Sequence, residues 1–411
     1  MSRKKRTTTS TPPTNLTAFR QAERLWKDRA RPVDLSLAFD PDRIIWDAEP
    51  VESRLRGVCS LGPGEEEVCW RVGLDELAPT GMGQSRWKGK EREEEGDYAI
   101  VIPRVPGLVF FPRILPEALQ RELVVETLQH ARRPNLTQLD KLYELPEEGL
   151  WAAWLAGKGS QVVPRTEEAA PGSSSCTQPG IEKALEGAAS SNAACGAETP
   201  QDIERNVTIE ELLPKLRWAN VGWHYNWTTK LYEFERGHVP LPPLILRCCR
   251  ALGRLMPWQH VFGASDVPPD QVAGKPQQDW RKWRDVYEPD AGIVNFYQVK
   301  DSLTSHVDQA EEDAVSPLVS LSLGHASVFL VGGTDRDVPP LAIVLRSGDA
   351  LLMSGEGRRV FHGLPRVLDG TLPDHLKAAQ PDGVNGIDDW NPYGAYLERG
   401  ARINVNVRSV F

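Results

Sequence analysis

No two cysteines of this chain stand at CxxC spacing, and none has a histidine partner at zinc-finger spacing. The six present are Cys59, Cys69, Cys176, Cys195, Cys248 and Cys249. They read as free thiols of a reducing compartment, with Cys248 and Cys249 in a helical pattern that suits a core. No apolar run reaches the ~20 residues that a membrane helix needs. No secretory apolar stretch follows the start, so no membrane partner is expected. Positive charge is also in deficit, with a formal net charge of -9. That excludes a chain that is basic throughout, but a local basic patch on an acidic chain still binds phosphate.

What is present is the material of a globular protein: 411 residues, 40% of them hydrophobic, enough for one large domain or two smaller ones. Thirteen Trp suit either a core or a base-stacking cleft. Residues 1–14 carry Arg3, Lys4, Lys5 and Arg6 and no acid. A nuclear-targeting patch and a transit peptide compete there with a plain disordered basic tail, and the tail is preferred because no apolar helical face precedes Leu16. Residues 15–155 are expected to form an N-terminal helical or extension region packed on the rest. Within it Leu16, Phe19, Ala22 and Trp26 recur at helical spacing. Residues 81–97 read as a charged, solvated loop. Residues 107–111 read as a strand, followed by a helix burying Leu119, Leu123 and Leu128. Residues 156–203 are rich in Gly, Ser, Ala, Thr and Glu and lack aromatics. They bury too little to offset their ordering entropy and are expected to be a disordered insertion.

Residues 204–411 carry the chemistry. A helix is expected over 242–256. After residue 286, short alternating or apolar runs at 293–299, 318–323, 326–331, 341–346, 350–354 and 402–410 are separated by turn signals, which suggests a sandwich, a barrel or a jelly roll. Side chains two apart on a strand share a face, so His306 and Asp308 can reach one metal ion. His362 is a third candidate ligand. Two histidines and a carboxylate with open positions make the facial triad of non-haem Fe(II) oxygenases. His-x-Asp alone is weak, and a satisfied surface pair at a strand end is the better explanation of an isolated match.

The last run strengthens the case. Ile403, Val405 and Val407 form one face, and Arg402, Asn404, Asn406 and Arg408 the other. A half-solvated strand is the bland explanation. The alternative is a row built to grip a diacid, since an Arg fork holds a carboxylate with paired charge-assisted bonds. Asn295 and Tyr297 offer an amide and a phenol on one face of an earlier strand.

The order Asn-x-Tyr, His-x-Asp, His, Arg-x-Asn-x-Asn-x-Arg resembles the AlkB family of Fe(II)/2-oxoglutarate dioxygenases over residues 217–411, most nearly its eukaryotic homologue 1 branch. Residues 216–227 (LRWANVGWHYNW), 305–308 (SHVD), 329–336 (FLVGGTDR), 347–355 (SGDALLMSG) and 360–368 (VFHGLPRVL) carry the likeness. Weaker similarity lies at 107–112 and 135–141. The resemblance implies an α+β fold with a double-stranded β-helix (jelly-roll) core and flanking helices. It implies that His306, Asp308 and His362 are catalytic and bind Fe(II). It implies that Asn295, Tyr297, Arg402, Asn404, Asn406 and Arg408 hold the co-substrate 2-oxoglutarate, with O2 as oxidant. Trp223, Tyr225 and Tyr232 fall in the family's substrate lid, and Arg336 matches a substrate-contacting Arg. The bacterial members carry an acid two residues after the metal Asp; here Ala310 stands there, followed by Glu311 and Glu312, which puts the bacterial repair specificity in doubt. The long gap from His362 to Arg402 favours the homologue 1 branch.

The expected activity is oxidative demethylation or hydroxylation of methylated bases in DNA or tRNA, presented single-stranded, looped or flipped out. The rival is a protein (histone) demethylase or hydroxylase using the same iron site; a third reading is a non-catalytic jelly-roll binding module. Nucleus, mitochondrion and cytoplasm are the expected compartments. Lid aromatics favour a nucleic acid.

Overall fold

The longest alternating run of the chain lies at the heart of its largest sheet. The computed structural model describes residues 16–74, 97–166, 207–263, 279–308, 310–313, 315–378 and 389–411. Among them the strands are β1 (Ile44–Trp46), β2 (Arg54–Ser60), β3 (Glu66–Gly73), β4 (Tyr98–Val101), β5 (Leu108–Phe111), β6 (Val162–Val163), β7 (Val207–Thr208), β8 (Trp218–Gly222), β9 (Tyr225–Asn226) and β10 (Leu231–Tyr232). They continue as β11 (Ala291–Gln298), β12 (Leu303–His306), β13 (Leu318–Gly324), β14 (Ser327–Val331), β15 (Leu341–Leu345), β16 (Ala350–Met353), β17 (His362–Val367) and β18 (Ala401–Arg408). The helices of eight or more residues are α1 (Ala18–Lys27), α2 (Glu117–His130), α3 (Pro243–Leu255) and α4 (Asn391–Glu398).

Ten strands form the large sheet in the order β1-β2-β3-β4-β5-β16-β13-β18-β11-β8. Four form a smaller one, β12-β17-β14-β15. Every pairing between these strands is antiparallel. The period of two sorts β18 into two faces. Ile403, Val405 and Val407 enter a core with Leu119, Leu123 and Val124 of α2, Ile245, Cys248, Cys249 and Leu252 of α3, and Leu397 of α4. The other face turns toward the small sheet. Between the sheets, Phe110, Leu351 and Met353 meet Val331, Leu341, Ile343 and Leu345. The outer face of the small sheet is covered by α1, whose Phe19 and Trp26 join Val328, Leu330, Ala342 and Val344. Burying a side chain of that size contributes about 1.5–3 kcal/mol. The layers therefore run helices, large sheet, an interior shared by this apolar cluster and the polar face of β18, small sheet, α1.

Several expectations meet this picture. α1 starts at Ala18, where the Thr17 hydroxyl accepts the Arg20 N–H. The N-terminal region contributes more strand than expected: β1 to β5 continue the large sheet, and β5 pairs with β16 in the register Ala350↔Phe111. No break in the sheet falls at residue 155. The last strand ends at Arg408, before the expected Val410. There the backbone turns away, because Val410 N–H donates to Asp290 (2.9 Å) and Val410 C=O accepts from Glu312 and Asp313 (both 2.9 Å). Of the expected insertion, residues 167–203 lie outside the described residues. Residues 156–166 are placed, with β6 paired to β7. The expected tail 1–14 also lies outside, as does the expected charged loop except for Asp97. Cys59, Cys69, Cys248 and Cys249 are free and buried, and burial pushes the Cys69 thiol up to about 12. No helix among the described residues is long and apolar enough to cross a membrane.

Candidate active site

β12 ends at His306 and β17 begins at His362, and the two are cross-strand partners with ring centroids 4.4 Å apart. Asp308 lies beyond the strand, so strand alternation is not what aims it. Contacts from other elements do that. Arg408 donates to its Oδ2 (3.0 Å), and Arg359 donates to its backbone carbonyl (2.8 Å). One ligand atom from each of His306, Asp308 and His362 lies within 4.8 Å of the others.

The imidazoles are oriented by the chain itself. His306 Nδ1 lies 3.0 Å from the Thr304 carbonyl, and His362 Nδ1 lies 3.1 Å from the Val360 carbonyl. A carbonyl only accepts, so each Nδ1 is the donor of its bond, and each Nε2 is the ring nitrogen left for a further partner. Burial, aided by neighbouring His306, pushes His362 down to about 4, so it is neutral near pH 7. Burial opposes ionisation of Asp308. Arg408 and the two histidines nonetheless hold its carboxyl well below the usual carboxylate range. Two imidazoles and a carboxylate are the donor set of a facial-triad iron site, so these residues fit Fe(II).

The same cavity is lined by Asn295, Tyr297, Arg402, Asn404, Asn406 and Arg408. Arg402 is wholly buried and donates only to neutral acceptors, the His325 carbonyl (2.9 Å) and Ser322 Oγ (2.8 Å); its Nε has no partner. Burial pulls its guanidinium down to about 10. Asn404 donates to Ser320 Oγ (2.8 Å) and the Leu321 carbonyl (3.0 Å). Tyr297 stands opposite Arg402 on β11, and burial keeps its phenol protonated. Asn295 pairs in register with Asn404, and Ile293 with Asn406. An under-neutralised buried cation among amide and phenol groups fits a dicarboxylate co-substrate.

The candidate lid divides. Trp227 lines the cavity. Tyr225 meets it edge-on, with centroids 5.1 Å apart, and also meets Tyr232. The Tyr232 hydroxyl donates to Glu311 (3.2 Å). Trp223 does not line the cavity. It packs against Phe234, His238 and Phe411, since its strand β8 ends at Gly222 and the backbone turns there. Arg336 sits on the turn after β14 with its guanidinium 4.6 Å over the Phe361 ring and donating to the Ser305 carbonyl (3.3 Å). In the segment after Trp223, Lys230 is exposed and Arg236 is ion-paired with Glu233.

Glu311 was missed in the sequence. It is buried and accepts from Arg408 (2.7 Å) and Tyr232, with Arg358 at 3.5 Å. Its neighbours Ala310 and Glu312 make no comparable contact. The available signal was a pair of arginines, Arg358 and Arg359, just before His362: buried arginines require acids, and Glu311 and Asp308 are near in sequence.

Residues 175–408 match the model of the 2OG-Fe(II) oxygenase superfamily. The chain is similar to the DNA N(6)-methyladenine demethylase ALKBH1A of Arabidopsis thaliana, with 31% identity over 50% of this chain and 52% of that protein. It is similar to the tRNA demethylase abh1 of Schizosaccharomyces pombe, with 27% identity over 75% of this chain and 80% of that protein. It is similar to the nucleic acid dioxygenase ALKBH1 of Homo sapiens, with 35% identity over 48% of this chain and 47% of that protein. The chain thus spans about half the length of the plant and human relatives.

Proposed function

Because the chain belongs to the 2OG-Fe(II) oxygenase superfamily, and within it to the AlkB family and its homologue 1 branch, we propose that it oxidatively demethylates or hydroxylates methylated bases in DNA or tRNA. The observation that carries this reading is one cavity holding His306, Asp308 and His362 together with a buried Arg402 that makes no ion pair with a carboxylate among the described residues. The reading takes the paired sheets as a double-stranded β-helix. Its support is the chain path: β11, β13, β16 and β18 lie in the large sheet, while β12, β14, β15 and β17 lie in the small one.

In this proposal His306, Asp308 and His362 hold Fe(II). Asn295, Tyr297, Arg402, Asn404 and Arg408 hold 2-oxoglutarate, with Asn406 alongside. The bound iron supplies activation of O2 at the expense of 2-oxoglutarate, which leaves as succinate and carbon dioxide. The chain's own residues do the rest. The Nδ1–H bonds to backbone carbonyls fix both imidazoles. Arg408 keeps Asp308 ionised. Tyr297, protonated, can donate to a carboxylate. Leu303, Leu318, Leu345, Leu351, Met353 and Leu364 line the cavity with hydrocarbon and limit water. An N-methyl group hydroxylated at its carbon is lost as formaldehyde when the C–N bond breaks and the hydroxyl proton passes to the nitrogen. Trp227 and Tyr225 offer faces for an extruded base, and stacking of this kind is worth about 1–3 kcal/mol. A nucleic acid substrate is also supported by what the relatives are named for, which spans DNA and tRNA.

The test is incubation of the protein, Fe(II) and 2-oxoglutarate with methylated DNA and RNA oligonucleotides and a methylated histone peptide, scoring succinate and mass loss. Succinate coupled to loss of an N-methyl group from an oligonucleotide is expected. Turnover of the peptide alone would transfer the reading to a protein demethylase. No coupled succinate with any substrate would sink the activity.

A further inference from the structure

α1 carries an acid where its pattern calls for an apolar residue. Phe19, Glu23 and Trp26 lie on one stripe of the helix, and all three are buried. A buried carboxylate is costly unless it is paired and hydrogen-bonded. Glu23 is both. Its Oε2 accepts from Arg20 (2.6 Å), and its Oε1 accepts the backbone N–H of Ser305 (2.7 Å). Ser305 immediately precedes His306.

β12 is the edge strand of the small sheet, so only β17 pairs with it. That pairing is irregular: the register shifts between Leu303 and His306. The ladder alone therefore fixes the end of β12 poorly. Its free edge is held instead by side chains: Glu23 takes the Ser305 N–H and Arg336 the Ser305 carbonyl (3.3 Å). Gly363 lets the strands approach, since a Cβ there would lie 3.1 Å from Ser305 N and 3.0 Å from the Leu303 carbonyl oxygen. The other histidine is reached from the same turn. Arg336 lies over Phe361, the residue before His362, and the Phe361 backbone is bonded on both sides to Gly332 and Gly333 (2.8 Å each). The Phe19 N–H closes the set on the Arg336 carbonyl (2.9 Å).

We propose that Glu23 and Arg336 are positioning residues of the metal centre, which clamp the residues just before the two histidines so that both Nε2 atoms converge. The inference rests on the metal assignment above, and it gives Arg336 a task apart from substrate contact. It also makes α1, remote in sequence, part of the site.

The test is titration of the full chain with Co(II), and anaerobically with Fe(II) plus 2-oxoglutarate, following affinity and the visible absorption spectrum. Glu23→Ala and Arg336→Met are expected to weaken metal affinity by about 10-fold or more and to alter the Co(II) spectrum. Glu23→Gln retains an acceptor oxygen and should bind metal as wild type does. Trp26→Leu, which loosens α1 without touching Ser305, controls for general destabilisation. Wild-type affinity and spectrum in Glu23→Ala would overturn the proposal. So would a loss in Trp26→Leu equal to that in Glu23→Ala at matched melting temperature. If the wild-type chain itself took up neither metal, the metal assignment would be the one to fall.

Discussion

Arg402 and Arg408 lie on one face of one strand, both buried, yet the two ends of that strand are in opposite electrostatic states. Arg408 meets two carboxylates, Asp308 and Glu311, which raise its guanidinium above the ordinary value against the effect of burial. Arg402 meets a carbonyl and a hydroxyl, and burial pulls it down to about 10. One end is a completed ion cluster and the other makes no ion pair among the described residues. In the function proposed above, the first belongs to the architecture of the metal site, and the second is a binding feature that the fold carries at some cost in stability until a carboxylate arrives.

The largest break in this comparison is Asp308→Ala. It removes a proposed metal donor and one of the two acids on Arg408. Metal uptake, measured by Co(II) absorption, and succinate production should both vanish while circular dichroism stays native. Retained turnover would remove Asp308 from the site.

Next comes the pair of apolar replacements. Arg408→Met takes the shared cation from buried Glu311 and half-buried Asp308, and breaking a buried pair this way costs about 3–5 kcal/mol. Arg402→Met strands no charge, so its urea midpoint without ligand should equal or exceed that of wild type. Its loss should appear in co-substrate binding instead. Charge-assisted bonds worth about 1.5–3 kcal/mol predict roughly a 10- to 150-fold rise in the 2-oxoglutarate requirement. If Arg402→Met unfolds as readily as Arg408→Met, the two ends do not differ as described.

A finer version uses ligand protection. At 100 times its dissociation constant a ligand stabilises the folded state by about 2.7 kcal/mol. Wild-type protein should gain that in melting experiments with 2-oxoglutarate and Co(II). Arg402→Met should gain little at the same concentration. Equal protection in both would show that the anion does not depend on Arg402.

The two ends were not equally legible in the sequence. The alternation of residues 402–408 announced itself because a strand's period is two, and burial of the polar face followed once a second sheet covered it. His306 and His362 could be singled out by residue type, and cross-strand pairing accounts for their meeting. Asp308 lay in the expected place for a different reason, since it is off the strand and held by Arg408 and Arg359. Glu311 is not legible from a fixed spacing after Asp308, because irregular backbone beyond β12 delivers a different acid. Glu23 escaped because a single acid on an amphipathic helix looks like an ordinary solvated residue until its neighbour strand is known. The strands β2 and β3 do alternate in sequence, in RLRGVCS and EEVCWRVG. Reading the N-terminal region as helical missed that signal. Trp223 and Trp227 were indistinguishable by type. The backbone turn after Gly222 puts the second, not the first, on the cavity.

The smallest effect, and the sharpest in sign, is the response of the two ends to pH. At the Arg408 end, burial opposes ionisation of Glu311, but Arg408 and Arg358 still hold its carboxyl below the ordinary value. Its contribution to stability is present above the unfolded value near 4.3 and is lost as pH falls through the lower folded value. At the Arg402 end the neighbouring acid is Asp349, wholly buried, which accepts the N–H groups of Arg113 and Arg346 (2.7 Å each). Burial raises it to about 6. The protonated form is therefore favoured on folding, and the associated stability is full below pH ~4 and is lost as pH rises to about 6, on the order of 1–3 kcal/mol. Melting curves of Glu311→Gln, Asp349→Asn and wild type from pH 4 to 7 read both signs. Relative to wild type, Asp349→Asn should become more stable as pH rises through that window. The deficit of Glu311→Gln should hold steady there and shrink only toward its acid end. Two difference curves of the same sign would show that both ends of β18 sit in one electrostatic environment, and the division between a completed cluster and a waiting cation would not stand.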